Sequence, residues 1–143
     1  MKYLILLLIS ITLANALTLQ RNASKEYVYD SQNKLLWTDS MDNIKLQMSH
    51  KEAKPYCENL KFAGFSDWRL PHIDEFVLIV DKKNRKNYIN KTFKYNQKSG
   101  YWAKTAHVRT LWFYADYMNF ISGTPYFDNR NVSKFVRCVR DTR

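Results

Sequence analysis

Apolar and polar positions change period three times along the chain, and each change marks a different kind of element. Tyr27-Val28-Tyr29-Asp30 and Leu35-Leu36-Trp37 are short β-prone runs around Ser31-Gln32-Asn33-Lys34. That spacing predicts a hairpin with a four-residue loop. Ser49 with Glu52 forms a capping box, and Ala53, Tyr56, Cys57 and Leu60 follow at i, i+3, i+4, i+7, which predicts a helix ended by Gly64. Pro55 fits that helix only if it begins late or its first turn is irregular. A second helix follows Pro71, with Ile73, Phe76, Val77 and Val80 as its stripe and Leu78 and Ile79 broadening it. Asp74 and Glu75 in its first turn and Lys82-Lys83 past its end complement the helix dipole.

From Tyr101 onward the pattern turns to strands. Tyr101–Lys104, Thr110–Tyr114, Met118–Ile121 and Pro125–Phe127 are short runs punctuated by Asn, Asp, Gly and Ser. The closing run Lys134–Arg140 alternates, with Val136 and Cys138 on one face and Phe135, Arg137 and Val139 on the other. The order of hairpin, two helices and a C-terminal meander of short antiparallel strands describes an α+β chain.

The N-terminus follows another logic. Met1-Lys2 is a short basic start, Tyr3–Leu13 an apolar run, and Ala14-Asn15-Ala16 a small-residue cleavage pattern. These features predict a signal peptide over residues 1–16 and a mature chain from Leu17, periplasmic, secreted or held at the cell surface. Residues 17–26 are polar and expected as a loosely ordered arm before a domain over 27–143. The 143 residues leave room for one core, and no later stretch is apolar enough to span a bilayer. Export makes the two cysteines informative, because a pair in an oxidising compartment bridges. If the bridge is intramolecular it joins Cys57 to Cys138, and closing so long a loop is worth roughly 4.5 kcal/mol on the chain-entropy argument.

The net charge of +10 makes anionic partners conceivable: acidic glycans, lipopolysaccharide, phospholipid headgroups, nucleic acid. The cations are scattered, with only Lys82-Lys83 and Arg85-Lys86 adjacent, and the abundance of Lys, Asn, Tyr and Ile is also what an A+T-rich coding sequence produces. Charge alone therefore leaves nucleic-acid binding a weak expectation.

Several motifs occur together and in order. Val28–Trp37 (VYDSQNKLLW), Ala53–Leu60 (AKPYCENL), Gly64–Pro71 (GFSDWRLP), Glu75-Phe76, Tyr101-Trp102 and Val136–Arg140 (VRCVR) resemble the C-terminal domain family of Legionella collagen-like proteins. The most specific of them is the "G..DWRLP" signature. The resemblance implies a C-type lectin-like fold and an exported bacterial domain. The chain departs from the family pattern at Ala103-Lys104-Thr105 after the "YW" pair and at His72 after "RLP". It is also distantly similar to the formylglycine-generating (sulfatase-modifying) enzymes through "RLP…E", but that chemistry needs a late active-site cysteine pair with copper, and no third cysteine is present.

Candidate chemistry is sparse. Trp68, Arg69, Pro71 and Glu75 form the family-like motif, with Arg69 either an anion clamp or a brace paired to a carboxylate such as Glu75. His50, His72 and His107 show no zinc-ligand spacing, and Asp67, Asp74, Asp116 and Asp128 are too dispersed for calcium, so no metal or cofactor is expected. The sequons at Asn22, Asn90 and Asn131 are incidental in a bacterial chain. The stretch from His107 to Arg130 is the candidate binding surface. There Arg109, Trp112, Tyr114, Tyr117, Tyr126, Asn129 and Arg130 combine aromatic faces with directional donors. The expected function is a non-enzymatic binding module of the cell envelope for a glycan, an envelope polymer or a protein. The alternatives are a structural subunit of an envelope complex and a degenerate enzyme.

Overall fold

The computed structural model describes residues 18–107 and 111–143. The signal peptide expected over 1–16 and the candidate residue Arg109 lie outside the described residues. Among the described residues the chain forms two sheets and three helices. The first sheet contains β1 (Leu19–Asn22), β2 (Tyr27–Asp30), β3 (Leu35–Thr38) and β9 (Val139–Asp141), antiparallel in the order β1-β2-β3-β9. The second contains β4 (Gln47–Met48), β5 (Gly100–Ala106), β6 (Tyr114–Asn119), β7 (Thr124–Asn129) and β8 (Lys134–Phe135), in the order β4-β8-β5-β6-β7. Helices α1 (Asp42–Lys45), α2 (His50–Glu58) and α3 (Ile73–Ile79) lie between the sheet-forming segments in sequence. The chain is therefore α+β, and its first and last strands share one sheet.

The hairpin forms with the predicted loop: β2 and β3 pair from Tyr27↔Thr38 to Asp30↔Leu35. Asp30 shapes the turn, its carboxylate accepting from the backbone N–H groups of Gln32 and Asn33. The polar segment before it is not a loose arm. Leu19–Asn22 adds to the hairpin as β1, and Arg21 is held by Asp39, a residue distant in sequence.

Helix α2 opens on the predicted capping box, with Ser49 Oγ accepting from Glu52 N–H and the Glu52 carboxylate from Ser49 N–H. It begins at His50, so Pro55 sits inside it rather than in a late first turn. Pro55 has no N–H for the Lys51 carbonyl, but Lys51 is exposed, so water can satisfy that group. The helix stops at Glu58, well before Gly64, and Leu60 turns in against the core. In α3 the buried stripe is narrower than the sequence suggests: Phe76 and Ile79 are buried while Val77 and Leu78 are each 49% exposed. Helix α1 has no apolar period long enough to predict it. Asn43 makes it possible, bonding the Ser40 N–H, the Thr38 hydroxyl and the Val136 carbonyl.

The closing run splits between the sheets. Lys134–Phe135 joins the second, Val139–Asp141 the first, and the three residues between cross the interior. The predicted alternation holds through the crossing. Phe135 and Val139 enter one core with Trp37, Phe76 and Tyr101, whereas Val136 and Cys138 enter the other with Trp68 and Trp102. Arg137, between them, is fully buried and donates to the Thr38 and Tyr95 carbonyls and the Asp39 carboxylate.

Cys57 and Cys138 form a disulfide across a sequence separation of 81 residues, tying α2 to this crossing. The double variant Cys57→Ser/Cys138→Ser should lose roughly 4 kcal/mol of unfolding free energy, read as a lower urea midpoint. A loss below about 1 kcal/mol would mean that the denatured chain is not constrained by this loop.

Candidate functional site

The candidate surface lies where β5 hands over to β6 and where β7 ends. Leu111 and Trp112 follow β5 with φ of 50° and 66°, so this stretch is a turn and not the strand its β-prone residues suggest. Two bulky residues in succession in the left-handed region cost on the order of 1–2 kcal/mol each. Fixed hydrogen bonds hold them there. Trp112 N–H donates to the His107 carbonyl, Arg130 Nη1 donates to the Trp112 carbonyl at 3.2 Å, and Arg130 N–H donates to the Phe113 carbonyl. With the backbone so occupied the side chains stand in solvent: Leu111 is 76% exposed, Trp112 56% and Phe113 63%.

The β6–β7 hairpin supplies further rings, one on each face of the sheet. Tyr126 and Phe127 are 51% and 59% exposed. Neither ring stands alone. Tyr126 stacks on Tyr117 at 6.1 Å, and Tyr117 rests under the Lys134 ammonium at 3.9 Å, which is itself paired with Asp128 at 2.8 Å. Phe127 meets Tyr114 edge-on at 6.1 Å and lies 5.2 Å from His107, whose Nε2 contacts the Asp116 carboxylate. Tyr126 and Phe127 therefore each have an orientation set by a neighbouring ring, which lowers the entropy lost when a ligand stacks on either.

Arg130 connects this surface to the interior. Its Nε donates to His50 Nδ1 at 3.0 Å, while His50 Nε2 lies 2.9 Å from the Ala103 carbonyl. A carbonyl only accepts and a guanidinium only donates, so His50 carries its proton on Nε2 and leaves Nδ1 bare. His50 N–H also donates to the Arg130 carbonyl. Burial, more than the nearby Arg130 charge, pushes the His50 pKa below its usual value, and the Ala103 hydrogen bond opposes them.

Among the sequence candidates, Trp112, Tyr114 and Tyr126 have exposed rings, but the β6–β7 register puts Tyr114 with Phe127 on one sheet face and Tyr126 with Tyr117 on the other. Asn129 accepts from Asn131 N–H and shapes the turn after β7. Arg130 is committed to His50 and to the Trp112 carbonyl. Leu111 and Phe113 flank Trp112, and Phe127 lies against Tyr114; all three were missed because apolar residues in β-prone runs read as core. A cavity of about 220 Å³ opens beside them, lined by Lys51, Leu111, Trp112, Phe113, Arg130 and Asn131.

The family-like motif lies elsewhere. Arg69 donates to both Glu75 carboxylate oxygens at 2.7 and 2.8 Å and also reaches Asp141, bracing α3 against β9. Burial pushes the Glu75 carboxyl up, but the bonds from Arg69 and from the His72 N–H outweigh it and hold the group below its usual range. Trp68 is buried with its indole N–H on the Phe62 carbonyl, and the Pro71 carbonyl accepts from Lys104 N–H. A larger open groove, about 690 Å³, runs along the first sheet between Tyr27, Tyr29, Leu36 and Phe65. Of its three arginines, Arg21 pairs with Asp39, Arg140 pairs with Asp67, and Arg143 is in no ion pair among the described residues. Among the described residues no three His, Cys, Asp or Glu side chains converge to hold a metal ion.

The His50–Arg130 contact gives a pH dependence of definite sign. Because the folded state keeps His50 neutral, the unfolded chain binds the extra proton first as pH falls. The stability from this contact is fully present above about pH 6.5 and is lost progressively below it. His50→Gln should flatten that limb of the stability–pH curve, measured by denaturation between about pH 5 and 8. An unchanged slope would show that His50 is not the titrating group.

A sequence model described as the Lcl C-terminal domain matches residues 26–140, which is most of the chain. No curated protein and no solved structure gives a match. The match includes both cores, the disulfide and the aromatic surface, and the chain belongs to the Lcl C-terminal domain family.

Proposed function

We propose that this chain is an exported, non-enzymatic binding module of the bacterial cell envelope, C-type lectin-like in fold, which presents an aromatic surface to a glycan, an envelope polymer or a protein. The observation that carries this reading is the pair of exposed rings Tyr114 and Phe127, held edge-on to one another on one face of the β6–β7 hairpin, with Trp112 exposed in the turn that leads into β6. Family membership makes a binding or structural module the natural class. Flat aromatic faces stack on sugar rings, and Lys51 beside the 220 Å³ cavity adds a charged donor at its rim. Arg109 belongs to the same proposal on sequence grounds, with Asn129 and Arg130 shaping the surface from behind.

A second reading, a structural subunit of an envelope complex, draws on Leu111. An aliphatic side chain 76% exposed among aromatics suits a protein partner better than a sugar.

The test is a binding screen of the chain from Leu17 onward against envelope glycans and a periplasmic extract at low and high salt. Trp112→Ala should weaken capture at least tenfold, as expected for a central aromatic contact, while shifting Tm by less than about 3 °C. A large fall in Tm would place Trp112 in the scaffold. Unchanged capture by a folded variant would remove the aromatic surface from the site.

A further inference from the structure

The strongest feature that the aromatic surface leaves unused is electrostatic. Between α3 and β5, residues 82–98 carry Lys82, Lys83, Arg85, Lys86, Lys91, Lys94 and Lys98 with no Asp or Glu among them. All seven are exposed. Among the described residues none has a carboxylate within ion-pair distance, although Arg21, Arg69, Lys134, Arg137 and Arg140 are all paired.

The segment is a built platform and not a trailing loop. Ile89 and Phe93 plug it into the core. Asp39 accepts from the backbone N–H groups of Lys94 and Tyr95, and Asn84 donates to the Ile89 carbonyl. Asn87 and Asn96 each donate to the other's carbonyl, which sets residues 85–88 against 96–98. Lys98 thereby reaches the Arg85 carbonyl and lies 5.5 Å from the Tyr88 ring, while Lys94 lies 5.1 Å from the Tyr95 ring. The fold thus brings Lys98 beside Arg85, while Asp39 and Asp81 accept from the segment's backbone N–H groups and, among the described residues, form no ion pair with its cations.

The platform precedes Gly100, where β5 begins, and the aromatic surface follows Ala106, where β5 ends. Seven residues of strand put about 20 Å between the two ends. That exceeds the Debye length of roughly 8 Å at physiological salt, so the two surfaces act independently.

We propose that residues 82–98 form a docking platform for a phosphate-bearing lipid surface, separate from the aromatic site. Six of the seven cations are lysines, compact point charges without the planar fork that reads a single carboxylate or phosphate. The cavities described above are lined by other residues. A field of exposed charge without a groove matches a plane of headgroups better than a threaded polymer. Tyr88 and Tyr95 supply half-buried amphipathic rings of the kind that settle at a membrane–water interface.

The test uses the chain from Leu17 onward, which contains every described element and lacks the apolar run Tyr3–Leu13 that would itself partition into lipid. Co-sedimentation is measured with phosphatidylcholine vesicles containing 30% phosphatidylglycerol, and with phosphatidylcholine alone. Binding is expected only to the anionic vesicles, weakening as salt rises. Each platform cation is worth about fivefold in affinity. Lys82→Gln/Lys83→Gln/Arg85→Gln/Lys86→Gln should therefore lose more than a hundredfold. Lys25→Gln/Lys34→Gln/Lys54→Gln/Lys61→Gln, with the same loss of net charge at exposed positions elsewhere, should stay within about threefold of the parent. Trp112→Ala should bind vesicles like the parent. Equal losses in the two quadruple variants would overturn the platform in favour of net charge. Loss in Trp112→Ala would overturn it in favour of insertion by the aromatic surface. Failure to bind anionic vesicles, including when acidic polysaccharide is bound, would also overturn it.

Discussion

Asp39 and Arg137 form the contact on which the rest of the structure hangs. Both side chains are fully buried, and they meet where β3 ends and the closing segment crosses the interior. Asp39 also holds Arg21 of β1 and the backbone N–H groups of Lys94 and Tyr95, while Arg137 donates to the carbonyls of Thr38 and Tyr95. Four chain segments distant in sequence thus meet on one ion pair. A guanidinium has no low-energy way to shed its charge, so it can enter an interior only with its partners in place. Phe93 and Tyr101, with ring centroids 4.9 and 5.8 Å from the guanidinium carbon, pack against it, and the Arg137 Nε is left without a partner. Stranding either charge of a buried pair costs about 3–5 kcal/mol, a large share of a small domain's net stability.

That pair and the disulfide act on adjacent residues for different reasons. Cys138 follows Arg137 and faces the other core. The disulfide narrows the unfolded ensemble, whereas the ion pair selects among folded arrangements, because only one register of the crossing places a cation against Asp39. Together they fix Val139 opposite Trp37 in the first sheet and Phe135 opposite Tyr101 in the second. The position of β5 follows from that register, and with it both the basic platform before the strand and the aromatic surface after it.

What could be read from the sequence was local. The hairpin, the capping box at Ser49 and the alternation of Phe135–Val139 each depend on residues a few positions apart, so their signatures survive without tertiary knowledge. The disulfide was readable because only two cysteines exist. The features that escaped are those whose partners are remote. β1 exists because Asp39 needs Arg21, α1 because Asn43 reaches Val136, and the clamp on the Trp112 turn because His50 sits 80 residues from Arg130. The run Leu111–Tyr114 misled for another reason. Its side chains favour strand, but its backbone is pinned in a turn by Arg130, so apolar residues that would fill a core elsewhere are turned outward here.

An exposed apolar surface beside an edge strand would ordinarily invite strand addition, and the sequence of β7 resists it. The bond from Arg130 N–H to the Phe113 carbonyl, carried through the β6–β7 register, directs the backbone groups of residues 124, 126 and 128 toward β6 and those of 125, 127 and 129 outward. Pro125 has no N–H to offer, and the Asn129 N–H is taken by the Asp128 carboxylate at 2.7 Å. Phe127 alone remains as an outward donor, too little to template a new strand. A partner must therefore approach through the side chains and meet Phe127 held by Tyr114 on one face, or Tyr126 held by Tyr117 on the other. The same edge thus stays available to a ligand while presenting little backbone to another copy's strand.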